Sequence, residues 1–145
     1  MCWIPNKVIW LKTKYKYFPD DFTKKRPYLI INEKNSQGIV ELVAMSSVQK
    51  RIELGFALYN LKTKFNCLKK KPHSHLKLDK KLIFNINNPK LLKKNLIKCC
   101  LCCRASKECL NGSEYQNFLL KFNQYQSSED PEYKFKIIDL TNYII

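Results

Sequence analysis

The chain has no run of about 18 apolar residues, which excludes a helix long enough to span a bilayer. No positively charged start followed by a long apolar segment is present, so no signal peptide is expected. Without export the thiols are expected to stay reduced, in a cytoplasmic protein with no membrane partner. Acidic residues are scarce: 12 Asp and Glu stand against 27 Lys and Arg, for a net charge of +15. Histidine is limited to His73 and His75, so few side chains are suited to proton transfer near neutral pH. Internal repeats and low-complexity linkers are absent, and nothing divides the chain into two units.

What is present suits one folded domain over residues 1–145. Apolar residues make up 45% of the chain, enough to bury a core. The charge is unevenly spread, with 22 basic and 6 acidic side chains in residues 1–100 but 5 and 6 in residues 101–145. A basic body joined to a near-neutral C-terminal unit suits binding to a polyanion. Charge alone equally fits a solvated, lysine-rich surface.

The stretch Lys24-Lys25-Arg26-Pro27-Tyr28-Leu29-Ile30-Ile31-Asn32 organises the rest. Pro27 has no backbone N–H and favours extended geometry before it, which predicts the first position of a strand. The apolar run after it reads as a buried strand and holds Arg26 at its mouth. A guanidinium there is always charged and shaped to take two phosphate oxygens. The turn Asn35-Ser36-Gln37-Gly38 leads to a second apolar run, Ile39 to Met45, and the two predict a β-hairpin. Hairpin spacing returns the hydroxyls of Ser46 and Ser47 to the neighbourhood of Arg26.

Other strands are predicted at Lys7 to Lys12, Gly55 to Leu61, Leu76 to Asp79 continuing through Asn85, and Tyr133 to Leu140. Residues 13–26 form an aromatic and basic loop in which Tyr15 and Tyr17 alternate with lysines. Such a mixture stacks bases and holds phosphates, as single-stranded nucleic acid requires; the same rings equally serve as core beneath the loop. Leu92, Leu96, Cys99 or Cys100, and Cys103 recur at helical spacing, predicting a helix over 90–110 that ends at Asn111-Gly112. Ser113-Glu114-Tyr115-Gln116 resembles a capping box opening a second helix to about Tyr125.

In their order these pieces resemble the MazF/PemK family of toxin endoribonucleases. Val8-Ile9-Trp10, the long loop, Arg26-Pro27 with its apolar strand, and Leu42-Val43-Ala44-Met45-Ser46-Ser47-Val48-Gln49 carry the likeness, with Leu76 to Ile83 similar to a later strand. It is clear over about residues 6–85 and strongest over 7–49, with 86–145 a helical and C-terminal extension. The sequence departs from the family where Asn6-Lys7 replaces the glycine usually preceding the first strand, in the loop composition, and in its cysteine cluster. The resemblance implies a mainly β, α+β fold: a small, partly open β-barrel of the Src-homology-three-like MazF/PemK/CcdB type with two or three helices. It further implies a homodimer, no cofactor, metal-independent cleavage of single-stranded RNA, and an acidic antitoxin protein as partner.

RNA carries its own nucleophile, the 2′-hydroxyl, so cleavage needs a proton acceptor, charge against the phosphorane and a proton donor for the leaving oxygen. The resemblance implies that Arg26 supplies the charge and that Ser46 or Ser47 hydrogen-bonds the phosphate. Lys24, Lys25, Tyr15, Tyr17, Gln49, Lys50 and Arg51 are the expected RNA contacts. His73 and His75 are candidate acid–base groups; alternating on an extended segment, only one of them faces a given site. Within the cluster of Cys99, Cys100, Cys102, Cys103 and Cys109, the weak metal candidates are Cys99, Cys102, Cys103 and Cys109. Their C-x-x-C pairs overlap and a second, separated pair is missing, whereas on a helix they serve as small buried hydrophobes. Two other classes stay open: a non-catalytic basic RNA-binding module, and a zinc-stabilised interaction protein using the 99–109 cysteines.

Overall fold

The computed structural model describes residues 4–13, 24–32, 35–46, 57–62, 75–87, 110–129 and 135–139. Seven strands and one helix lie within them: β1 (Val8–Thr13), β2 (Lys24–Asn32), β3 (Ile39–Ser46), β4 (Leu58–Asn60), β5 (His75–Lys77), β6 (Lys80–Asn85), α1 (Gly112–Ser127) and β7 (Lys136–Asp139). The strands form one sheet in the order β1-β2-β3-β5-β4, while β6 pairs with β3 and with β7. The fold is thus mainly antiparallel β with a helix, in keeping with a small α+β protein.

The apolar runs of β2 and β3 do not alternate with polar residues because both of their faces are covered. On one face Val8, Leu29, Ile31, Val43, Met45, Leu76 and Leu78 form the core with Leu110, Phe118 and Phe122. On the other, Ile9, Tyr28, Ile30, Leu42, Ala44 and Leu82 are buried too. At the hairpin turn, Asn35 Oδ1 accepts from the backbone N–H of Gln37 (2.9 Å) and of Ile39 (3.0 Å). Gly38 sits at φ +79°, a conformation that suits glycine, and a Cβ there would collide with the side-chain amide of Asn87.

The helix begins differently from the expected capping box. Asn111 is the N-cap, and its Oδ1 accepts from Glu114 N–H at 2.8 Å and from the Ser113 hydroxyl at 2.9 Å. Ser113 therefore lies inside the helix, and Glu114 turns away to accept the Lys62 backbone N–H at 2.7 Å. That bond ties the helix start to the chain leaving β4. The Tyr115 hydroxyl donates to Ile31 O at 3.1 Å. Phe118 meets Tyr59 edge-on at 5.6 Å between ring centroids, and Phe122 meets Phe135 in the same way at 5.4 Å.

The described strands form an open sheet and no closed barrel: among the described residues no pairing joins β1 to β4 or β7. One helix lies within the described residues, and the one expected over 90–110 falls almost wholly outside them. One further expectation, at Pro27, is corrected. Pro27 is the fourth residue of β2 and not its first. Ile30 N–H donates to Lys7 O on the β1 side (2.9 Å), so by alternation the odd-numbered residues of β2 turn their N–H toward β3. The missing N–H of Pro27 therefore lies on the β3 side, where the ladder ends at the pair Tyr28↔Ala44.

β3 is served on its other edge by two short strands in tandem. Met45 pairs with Leu76 of β5 and Leu42 with Leu82 of β6, so three residues of β3 match six on the partner side. The bend at Leu78-Asp79 takes up the surplus. β7 then lies parallel to β6, with Lys80 level with Lys136.

Candidate functional site

The chemistry-bearing positions converge where β5 is held between β3 and β4. Ser46 of β3 pairs with His75, and His75 pairs in turn with Asn60 of β4. Directly opposed residues in an antiparallel sheet share a face, so Ser46, His75 and Asn60 form one row. The β2–β3 pairing ends at Tyr28↔Ala44, two residues short of Arg26 and Ser46 on their strands. Leu11 of β1 pairs with Arg26. At one strand spacing per step, about 5 Å, His75 stands between Ser46 and Asn60.

His75 is 5% exposed. Its Nδ1 lies 2.7 Å from Oδ1 of Asn60, which sits exposed on the outer strand. Burial holds the imidazole below its ordinary 6.5 and so keeps it neutral near pH 7. One row inward on the same face, Lys77 is fully buried. Burial, helped by the neighbouring Lys80 and opposed by Asp79, lowers its ammonium from 10.5 to about 7. Two nitrogens whose charged forms are both disfavoured by burial thus lie two residues apart on one strand. Such perturbed groups are candidates for proton transfer.

Lys24 and Lys25 lie in β2 opposite Thr13 and Lys12, and only Lys24 shares the Arg26 face. Ser47, Gln49, Lys50, Arg51, Tyr15, Tyr17 and His73 lie outside the described residues, as do Cys99, Cys100, Cys102, Cys103 and Cys109. Among the described residues no group of three or more His, Cys, Asp or Glu is gathered to hold a metal ion.

Sequence reasoning missed Asn60 and Lys77. Alternation from His75 was signal enough for Lys77, which shares its face two residues on. Asn60 carried no local signal, because its relation to His75 exists only through the β4–β5 pairing. An open cleft of about 510 Å³, lined by Pro5, Asn32, Asn35, Ile39 and Glu41, lies instead at the hairpin-turn end of β3. Its carboxylate, Glu41, is engaged by Lys81 at 3.3 Å and by the Asn32 amide. Comparison of the chain with protein-family models, with curated proteins and with solved structures found no match.

Proposed function

We propose that this protein is a metal-independent endoribonuclease that cleaves single-stranded RNA at Arg26, Ser46 and His75. The observation that carries the reading is the cross-strand register Ser46↔His75; counting on past Tyr28↔Ala44 would set Arg26 beside them. In the proposed step the 2′-hydroxyl gives its proton to Nε2 of His75, and its oxygen forms a bond to phosphorus. The bond from phosphorus to the 5′-oxygen breaks. The leaving oxygen takes that electron pair and a proton from the imidazolium, which returns His75 to its neutral form. The products are a 2′,3′-cyclic phosphate and a 5′-hydroxyl. Arg26 offsets the charge that gathers on the phosphorane, and Ser46 or Ser47 hydrogen-bonds a non-bridging oxygen.

The net charge of +15 adds sequence-independent attraction to RNA. The resemblance to MazF/PemK toxins belongs to the proposal, and Asn6, at φ +67°, stands where that family usually carries a glycine before its first strand. The rest of that likeness belongs to the same proposal: a small, partly open barrel with further helices, a homodimer, a cytoplasmic setting and restraint by an acidic antitoxin. The deep burial of His75 favours a second reading, a non-catalytic RNA-binding module using the same basic face. Incubation with single-stranded RNA in chelator separates the two. Cyclic-phosphate ends, absent when the substrate is 2′-deoxy, support the nuclease; retardation in a gel without cleavage supports the module.

A further inference from the structure

We propose that Asn60 is a positioning residue that holds His75 in the tautomer protonated at Nδ1, leaving Nε2 as the proton acceptor of the site. The inference rests on the nuclease reading for its catalytic meaning, but its geometry stands by itself. The carboxamide oxygen of Asn60 accepts only, so the 2.7 Å contact requires Nδ1 of His75 to donate. A neutral imidazole carries one N–H, so fixing it at Nδ1 places the lone pair on Nε2. Asn60 and His75 are directly paired across β4 and β5, which holds the amide and the ring at one level. Ser46 is paired with His75 from the opposite side. The order across the sheet at this level is therefore Asn60, His75 and Ser46, with the orienting residue directly beside the base. A neutral amide orients the ring without favouring the imidazolium as a carboxylate would, so the base stays free to lower pH.

The experiment uses the full chain labelled with ¹⁵N-histidine and long-range ¹H–¹⁵N correlation above the titration of His75. With two histidines in the chain, a His73→Gln variant assigns the signals. The expected result is a protonated Nδ1 and an unprotonated Nε2 for His75. In Asn60→Ala the tautomer shifts toward Nε2–H, and kcat for RNA cleavage falls about 10²-fold with KM unchanged. Asn60→Asp restores the tautomer and cleavage, with the acidic limb of the rate profile moved to higher pH. The inference is overturned if wild-type His75 carries its proton on Nε2, or if Asn60→Ala keeps both kcat and the pH profile. An Nδ1–H tautomer in a protein that cuts no RNA overturns the nuclease reading, and the catalytic part of the inference with it.

Discussion

Asn6 and Leu110, 104 residues apart, exchange two hydrogen bonds: the Asn6 amide donates to Leu110 O at 2.7 Å, and Leu110 N–H donates to Asn6 Oδ1 at 2.9 Å. A side-chain amide here does what a strand partner does, fastening the chain that enters α1 to the chain that enters β1. Asn6 also adopts φ +67°, which other L-residues enter only with strain. Asn6→Gly relieves the backbone and loses the bonds; Asn6→Ala loses both advantages. Denaturant unfolding is expected to rank wild type above Gly and Gly above Ala, with Ala lower than wild type by about 2–3 kcal/mol.

Gly38 gives a second backbone test. Gly38→Ala meets both an unfavourable φ of +79° and the Asn87 amide. The substitution is expected to cost more than the 1–2 kcal/mol or so that a left-handed L-residue costs alone. Gly38→Ala combined with Asn87→Gly removes the collision and should recover only the excess. Equal stability of the two variants would show that Asn87 yields freely.

Stability should rise with pH on both sides of neutrality. His75 is held below 6.5, so the unfolded chain binds its proton more readily. Stability from this residue is complete above 6.5 and is lost as pH falls toward the folded value. Lys77 at about 7 against an ordinary 10.5 acts in the same direction, and its penalty fades as pH climbs from about 7 toward 10. Tyr59 and Tyr115, both raised above 10.0 by burial, reverse the trend beyond that. Lys77→Met is expected to stabilise the protein at pH 7 by on the order of 1–4 kcal/mol and to flatten the rise above neutrality. His75→Gln should flatten the acidic limb, as thermal unfolding across pH would read.

Arg26→Ala is expected to slow RNA cleavage by two to three decades, about 3–4 kcal/mol of transition-state stabilisation. Affinity should fall little, because many lysines share the phosphate contacts. The log–log salt dependence of wild-type binding should steepen by about 0.7 for each phosphate neutralised. A flat salt response would remove the basic face from the RNA-binding role.

The hairpin of β2 and β3 was legible because two buried runs flank a turn of Asn, Ser, Gln and Gly, and both signals are local. The helix from 113 onward was legible for the same reason. Pro27 was misplaced because the rule for a missing N–H does not say which neighbouring strand that N–H would have faced; here β2 continues through it on the β1 side. The parallel pairing of β7 on β6 had no local signature. At the candidate site, counting along the hairpin predicts Arg26 near Ser46, and the β2–β3 pairing stops two residues short of both. Asn60 could not be placed by counting, since a three-residue strand shows no periodicity to read.

The bend at Leu78-Asp79 lets two neighbouring strands keep separate alignments against one edge of β3. Chain added or removed within that bend would be absorbed there, leaving the pairing of His75 undisturbed. The same residue inserted between His75 and Lys77 would invert which side each presents. Evolutionary tinkering with length is therefore affordable at one corner and ruinous three residues away.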